Sequence, residues 1–371
     1  MHIESQSGIV RYSDIQTLVS QLAELEDSED GFLLHAGDCA ELFETCELSR
    51  VTRDSKFTSD MGSIVNASII LGRICGQFGK PRSKATDDYG LPVFRGDIIN
   101  GTCTSKRDAD PSRMRLAHSL SLKMYSALTD LFISHECLLL PYESALVRYH
   151  TDNTPYNSSA HFLWIGDRTR ALDGAHVEFC RGLANPIGIK VGPSSDPLEI
   201  SNIVRRLNPE NIAGKITIIT RFGKMQAHRL PLLIAELKGL RILWQCDPMH
   251  GNTVQAGLFK TRYLVDIKEE IRETVHAHRM AGSRLHGIHL ETTGEDNVTE
   301  CVGGNVSLHD LPLKYLSACD PRLNPAQTRE VLLFLNDILK ESNLKRNQST
   351  PSTTTTRDDF FSSDPDSGSD A

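Results

Sequence analysis

Eight short apolar runs in this 371-residue chain each lead into a residue able to do chemistry. In order these are Cys39, Arg73, Glu136, Arg168, Lys190, Arg221, His250 and Glu291. Four of them are cations, and Lys80 and Arg82 of GQFGKPRS, followed by Ser83, add two more. Guanidinium forks match phosphate and carboxylate oxygens bidentately, so such groups gathered in one pocket take a small polyanion. Any one Arg or Lys in a loop is ordinarily a solvated surface group. It is their recurrence after successive runs that carries the reading. Cys39, His250, Glu291 and Asp320 form a second set. A thiolate, an imidazole and two carboxylates suit a borderline divalent ion such as Mn²⁺, Co²⁺, Fe²⁺ or Zn²⁺, and the carboxylates favour the harder end. Their spacing gives no metal motif, and the plain alternative is a buried thiol, a loop histidine and two solvated acids.

The elements that must position these groups recur between Gly31 and Glu291. The runs are Phe32–His35, Ser68–Leu71, Leu131–Ser134, His161–Ile165, Ile187–Val191, Ile216–Thr220, Arg241–Gln245 and Gly287–Leu290. Each has the length and β-branched or aromatic content of a buried strand. Helix-like stretches lie between them, including DPLEISNIVRRL, QAHRLPLLIAELKG and KTRYLVDIKEEIRETVHAHRMAG, the last with apolar residues near i, i+3/4 and i+7. Eight strands alternating with helices predict an α/β fold, the (β/α)₈ barrel, whose active sites gather at the C-terminal strand ends. A doubly wound open sheet shares the local pattern, but no G-x-G-x-x-G follows the first run and no G-x-x-x-x-G-K-[ST] occurs. The expected organisation is a helical segment over 1–30, the barrel over 31–342 and a disordered Ser/Thr/Asp-rich tail over 343–371. Trp164 and Trp244 are read as core or pocket wall, and His118, His276 and His278 as surface positions on helices.

Composition narrows the function. With 40 Lys+Arg against 48 Asp+Glu, the formal charge is −8. An acidic chain argues against nucleic-acid binding, which needs a dense basic face. No run of apolar residues is long enough to span a membrane. The start, MHIESQSGIVRYSD, lacks the apolar core of a secretory signal. Nine cysteines are spread singly without CxxC pairs, the pattern of reduced thiols in a cytoplasmic protein.

At these residues the sequence closely resembles the class II (plant-type) 3-deoxy-D-arabino-heptulosonate 7-phosphate (DAHP) synthases. The matching motifs include GDCAE (Gly37–Glu41), GRICGQFGKPRS (Gly72–Ser83), FRGDIING (Phe94–Gly101) and SHECLLLPYESALVR (Ser134–Arg148). They continue through WIGDRTRALDGAHVEF (Trp164–Phe179), NPIGIKVGP (Asn185–Pro193), LNPENIAGKITIITRFG (Leu207–Gly223), CDPMHGNT (Cys246–Thr253), TGEDNVTECVGG (Thr293–Gly304) and CDPRLN (Cys319–Asn324). The resemblance implies a TIM barrel that condenses phosphoenolpyruvate with erythrose 4-phosphate and water, releases phosphate, and uses a divalent metal, often Mn²⁺ or Co²⁺. It places the metal ligands on Cys39, His250, Glu291 and Asp320. It places phosphoenolpyruvate on Arg73, Lys80, Arg168, Lys190 and Arg221, and erythrose 4-phosphate on Arg82 and Ser83. A homodimer is expected, and some members of the family work with chorismate mutase.

The sequence departs from the family where QGGDCAE is HAGDCAE, altering His35 and Ala36, and where G-E-R-T-R is G-D-R-T-R, placing Asp167 in the position of a Glu. Only about 30 residues precede the first run, shorter than the extension of many biosynthetic members, which resembles feedback-free paralogues of secondary metabolism. Glu136 and Asp167 are the general acid/base candidates, with Lys190 as a further proton donor, and the residues alone do not separate them. Cys319 adjoins Asp320, so a Cys39–Cys319 disulfide is an expected oxidative off-switch. Two rival functions stand beside the condensation: a barrel aldolase or lyase with a Schiff base on Lys190, and a non-catalytic, partner-binding paralogue.

Overall fold

Continuous apolar runs suit strands of a largely buried parallel sheet, and each of the eight runs falls on one strand of such a sheet. In the computed structural model the described residues are 7–87 and 89–349, side chains excepted over 343–349. The strands, in chain order, are β1 Phe32–Gly37, β2 Ala67–Arg73, β3 Phe132–Glu136, β4 Val147–Tyr149, β5 Pro155–Asn157 and β6 Phe162–Ile165. They continue with β7 Ile187–Val191, β8 Ile216–Thr220, β9 Leu243–Cys246, β10 Val254–Ala256, β11 Phe259–Thr261 and β12 Gly287–Glu291. The sheet order β1-β12-β9-β8-β7-β6-β3-β2 closes on itself, because β1 pairs in parallel with both β2 and β12. Closure decides for the (β/α)₈ barrel over the open sheet. Two antiparallel hairpins, β4–β5 and β10–β11, lie outside it.

The helices are α1 Tyr12–Asp27, α2 Leu48–Gly62, α3 Arg113–Tyr125, α4 Leu140–Ala145, α5 Ala175–Cys180, α6 Pro197–Leu207, α7 Leu230–Glu236, α8 Leu264–Met280 and α9 Pro325–Ser349. Pleating sends alternate strand residues to opposite faces, and the core divides accordingly. Ile133, Leu163, Ile165, Ile187, Ile189, Val191, Ile216, Ile218, Ile288 and Leu290 pack in one cluster with residues of the surrounding helices. Leu33, Ile69, Leu71, Phe162, Trp164, Ile219 and Leu243 form the barrel's interior with Leu18, Leu22 and Leu25 of α1. These α1 positions repeat at helical spacing, and they meet residues near the strand starts. Helix α1 is therefore a plug in the N-terminal end, tied down where Arg241 binds Glu26 (2.5 Å) and Asp27 (2.5 Å).

Several expectations are corrected. Lys260–Arg262, read as the start of a helix, belongs to the β10–β11 hairpin and the turn after it, and α8 begins only at Leu264. His118 and His278 are buried, not on the surface. His118 Nε2 bonds the Ser7 carbonyl (2.8 Å), while His278 packs edge-on to Trp244 and meets Ser283 Oγ (3.1 Å). Both lie on the inward stripe of their helices, beside Ala117 and Val275 respectively, and a satisfied ring nitrogen makes a histidine tolerable there. His276 is exposed, as read. Trp164 and Trp244 are both buried. Helix α9 runs to Ser349, past the expected boundary at 342, and the rest of the expected tail lies outside the described residues. Among the described residues no helix is long and apolar enough to cross a membrane.

Leu22 is fully buried in the plug. Leu22→Ala should cost roughly 2–5 kcal/mol of unfolding free energy in a urea titration, the usual price of a large-to-small change in a closed core. An effect below about 0.5 kcal/mol, the range of a surface substitution, would show that α1 is not part of the barrel's packing.

Candidate active site at the C-terminal mouth

Strand register sets the site. Gly37 pairs across with Arg73 on one side and Glu291 on the other, so three strand ends meet at one level. Gly37 has φ +145°, and a Cβ there would stand 2.7 Å from the Arg73 carbonyl oxygen, so only glycine allows this approach just ahead of Cys39. Above lies a cavity of about 370 Å³. All six expected cations line it (Arg73, Lys80, Arg82, Arg168, Lys190 and Arg221), together with Ser83, Glu136, Asp167, His250 and Asp320. Cys39 and Glu291 lie fully buried beside it.

Three of the four expected metal ligands converge, and the fourth, His250, stands against one of them, Glu291. Donor atoms of Cys39, Glu291 and Asp320 all lie within 4.8 Å of one another. His250 Nε2 is 3.0 Å from Glu291 Oε1, while its Nδ1 is 2.7 Å from Asp247 Oδ2. A carboxylate only accepts hydrogen bonds, so Asp247 accepts from Nδ1–H, and the other ring nitrogen, Nε2, faces a carboxylate oxygen. Two acceptors at that distance need a cation or a proton between them. This sulfur, nitrogen and oxygen donor set, with its histidine oriented by a second carboxylate, fits a divalent metal. Positive charge is already drawn to the spot: Lys80 Nζ lies 3.0 Å from Cys39 Sγ, 2.8 Å from Asp320 and 3.6 Å from Glu291.

Burial opposes ionisation throughout this cluster, and the partners decide each outcome. Burial works against the Asp320 carboxylate, but Lys80, Arg262 and Lys260 overcome it and hold the group below the usual carboxylate range. Glu291 is likewise held well down, against burial, by His250, Lys80 and Arg262. The Cys39 thiol is pushed well up by burial, its hydrogen bond with Cys319 and the charge of Glu291, so its thiolate requires more positive charge than Lys80 supplies. Asp247 is held far below the ordinary range, again against burial, by His250 and Lys190. Burial and the nearby Arg73 lower Lys190, whose ammonium donates to Asp247 at 2.6 Å.

The two acid/base candidates separate. Asp167 is committed: it accepts from Arg221 (3.1 Å), Arg170 (3.2 Å) and the Gly192 N–H (3.1 Å). Glu136 is not, for its Oε1 is buried without a hydrogen-bond partner beside the cavity. A Cβ at Gly166 would overlap that oxygen, so glycine there leaves room for it. Arg168 lines the cavity with no ion pair among the described residues.

Sequence reasoning missed four residues. Arg262, fully buried, grips Glu291 Oε2 at 2.6 Å, and Lys260 reaches Asp320 from the same hairpin at 2.9 Å. Both were hidden by the helical reading of KTRYL. Asp247 directly follows the end of β9, a position of the same kind as those singled out, and could have been found that way, whereas His289 lies inside β12, two residues before Glu291. Three buried carboxylates pin the loops that carry the site. Glu41 accepts the backbone N–H groups of Cys75, Gly76 and Gln77, ahead of Lys80. Glu270 accepts those of Phe222 and Gly223 (both 2.9 Å) and the amide of Asn252 (2.7 Å), holding the loops after Arg221 and His250. Glu300 accepts from Leu316, Ser317 and Arg322 around Asp320.

A family model described as the class-II DAHP synthetase family matches residues 1–129 and 122–335. A Neurospora crassa protein named phospho-2-dehydro-3-deoxyheptonate aldolase is 36% identical over 395 residues, spanning 82% of this chain and 82% of that protein. A Mycolicibacterium smegmatis protein, phospho-2-dehydro-3-deoxyheptonate aldolase AroG, is 34% identical over 415 residues, spanning 91% of this chain and 89% of that one.

Burial pushes Glu270 up to about 8, against the pull of the Gly223 and Phe222 N–H groups. The folded state therefore keeps a proton that the unfolded chain has already lost, so this group's contribution falls as pH rises from about 4.5 to 8. Glu270→Gln should remove that decline, roughly 5 kcal/mol across the window, read as a flatter dependence of urea midpoint on pH. Parallel curves for the two proteins would refute the assignment.

Proposed function

This chain belongs to the class-II DAHP synthetase family, and from that membership we propose that it joins phosphoenolpyruvate to D-erythrose 4-phosphate. Water is consumed, and the products are 3-deoxy-D-arabino-heptulosonate 7-phosphate and phosphate. This is the transferase reaction that opens the shikimate pathway. The observation that carries the reading is the facing pair His250 Nε2 and Glu291 Oε1, 3.0 Å apart, beside the cation-lined cavity.

Cys39, His250, Glu291 and Asp320 are the residues to hold a divalent metal, Mn²⁺ or Co²⁺ by family habit, with Zn²⁺ and Fe²⁺ also suited to the donors. When bound, that ion supplies Lewis-acid polarisation of the aldehyde oxygen. The chain's own residues do the rest. Arg73, Lys80, Arg168, Lys190 and Arg221 bind the enol phosphate, and Arg82 and Ser83 face the sugar phosphate, so two anions share one cavity. Holding C3 of the enol against the aldehyde carbon makes bond formation effectively unimolecular. Asp167 holds Arg221 and the Gly192 N–H in place and takes no proton. Glu136, with its free oxygen, takes a proton from the water that adds at C2 as phosphate departs. A Schiff base on Lys190 is disfavoured, because its ammonium points at Asp247, His250 and His289, all within 3.3 Å.

Chelation should abolish phosphate release from the two substrates, and Mn²⁺ or Co²⁺ should restore it. Turnover indifferent to chelation, or borohydride trapping of substrate on Lys190, would favour the aldolase. No turnover with any metal would favour a non-catalytic paralogue. Glu136→Gln should lower kcat by about 10²-fold to 10⁴-fold with little change in KM, the cost of a lost general base. Asp167→Asn, which loosens Arg221, should act mainly on KM for phosphoenolpyruvate. Equal effects of the two variants on kcat would undo the division of roles.

A further inference from the structure

Beneath the substrate cavity a hydrogen-bonded chain crosses the barrel interior, and no step above uses it. His35 Nε2 lies 2.8 Å from Ser134 Oγ, which donates to the Gly72 carbonyl at 2.9 Å. His35 Nδ1 lies 2.9 Å from His289 Nδ1. His289 Nε2 meets both Arg73 Nη1 and, at 3.2 Å, Lys190 Nζ. Both histidines are fully buried, and both rings stand edge-on to Trp164, the wall over which Arg73 and Lys190 lie.

Ring protons on this chain have two self-consistent directions, and Arg73 chooses between them. A guanidinium has five donors and no acceptor and does not deprotonate in proteins, so His289 Nε2 facing it must be bare. The His289 proton is then on Nδ1 and donates to His35 Nδ1. That leaves the His35 proton on Nε2, where it donates to Ser134, and the serine proton goes to Gly72. In the reverse direction a ring N–H would point at the guanidinium. As placed, the Gln245 amide oxygen lies 3.3 Å from His35 Nδ1, which would call for a proton there, but its Nε2 has no partner; a half-turn of the amide brings that nitrogen to a bare Nδ1 as a donor and so fits the forward direction. Burial, with Arg73 and Lys190 nearby, keeps His35 neutral, as a one-proton relay requires.

The geometry points to His35 as a positioning residue: through a one-way chain from Ser134 to His289, it fixes a bare His289 nitrogen under Arg73 and Lys190 and so sets those two cations for the enol phosphate. For its kinetic readout this rests on the proposed condensation; for its structural readout it does not.

The test uses the full chain and two variants of His35. His35→Gln keeps an acceptor toward His289 and a donor toward Ser134, while His35→Leu keeps bulk and loses both. His35→Leu should raise KM for phosphoenolpyruvate about tenfold, the loss of one charge-assisted hydrogen bond, and leave KM for erythrose 4-phosphate within about twofold. His35→Gln should return both constants to near wild type. A merely space-filling role predicts the opposite order, with Leu tolerated and Gln not. Nitrogen NMR of labelled histidine rings, with His289 assigned by the signals that His289→Gln removes, should show His289 protonated on Nδ1 and bare on Nε2. The proposal is overturned if His289 carries its proton on Nε2, if His35→Leu leaves KM for phosphoenolpyruvate unchanged, or if His35→Gln is as impaired as His35→Leu. Should His35→Leu fail to fold, the ring protonation and His35→Gln still decide. Wild-type protein without turnover would instead sink the proposed reaction, and the ring protonation would still test this chain.

Discussion

The carboxylate of Glu291 has no exposed surface and meets four cationic or proton-bearing groups: Arg262 at 2.6 Å, Arg73 at 3.0 Å, His250 at 3.0 Å and Lys80 at 3.6 Å. A charge removed from water costs several kcal/mol unless close partners and hydrogen bonds replace its hydration. That requirement is what draws the mouth of the barrel together. Arg73 ends β2, Lys80 lies in the loop beyond it, His250 follows β9 and Arg262 follows β11. Each has to reach one buried point, and in doing so each fixes the backbone that carries it. The cluster contributes specificity of arrangement more than stability, because a buried pair is worth little net against an apolar replacement.

The barrel can hold such a cluster because its interior changes character along its length. Inward positions run Leu33, His35, Gly37 on β1, Ile69, Leu71, Arg73 on β2, and Phe132, Ser134, Glu136 on β3, two residues per step as the pleat dictates. The lower steps are apolar and are sealed by α1. The upper ones are polar: His35 meets Ser134 and Arg73 meets Glu291 across strands, while Glu136 keeps one oxygen without a partner. Stability and chemistry thus occupy opposite ends of the same strands. Glu41, Glu270 and Glu300 extend the arrangement outward, each taking backbone N–H groups from a loop that has no strand ladder to hold it. They make those loops part of the frame.

The strands were legible because double burial leaves an unbroken apolar run, and Ile187–Val191 and Ile216–Thr220 match their runs end to end. The gathering of Cys39, Glu291 and Asp320, with His250 against Glu291, was legible only once the barrel and the family resemblance were joined, since no spacing links four distant segments. Other parts were not legible, for identifiable reasons. In KTRYL a short hairpin runs into the start of α8, and periodicity cannot mark the boundary, so Lys260 and Arg262 passed as helix surface. His118 and His278 were misjudged because a histidine type says nothing about whether its ring nitrogens find partners. Glu136 and Asp167 are both acids just past strand ends. Only the positions of Arg221 and the Gly192 N–H, given by folding, show which of them is engaged.

The same distinction between engaged and free groups resolves a tension in the charge. The chain carries −8 overall, yet seven cations and three carboxylates line the cavity. Five of those cations are already held by acids: Arg73 by Glu291, Lys80 and Lys260 by Asp320, Lys190 by Asp247, and Arg221 by Asp167. Their pairing offsets the mutual repulsion that would otherwise splay them, and it fixes their directions before any ligand arrives. Arg82 is held by the Phe94 carbonyl and Cys319, and among the described residues neither it nor Arg168 has an ion pair. The attraction a phosphate meets on entry therefore comes from the cations least neutralised, while the paired ones supply geometry. A cavity whose lining carries more cations than carboxylates, within an acidic protein, focuses that attraction on the site.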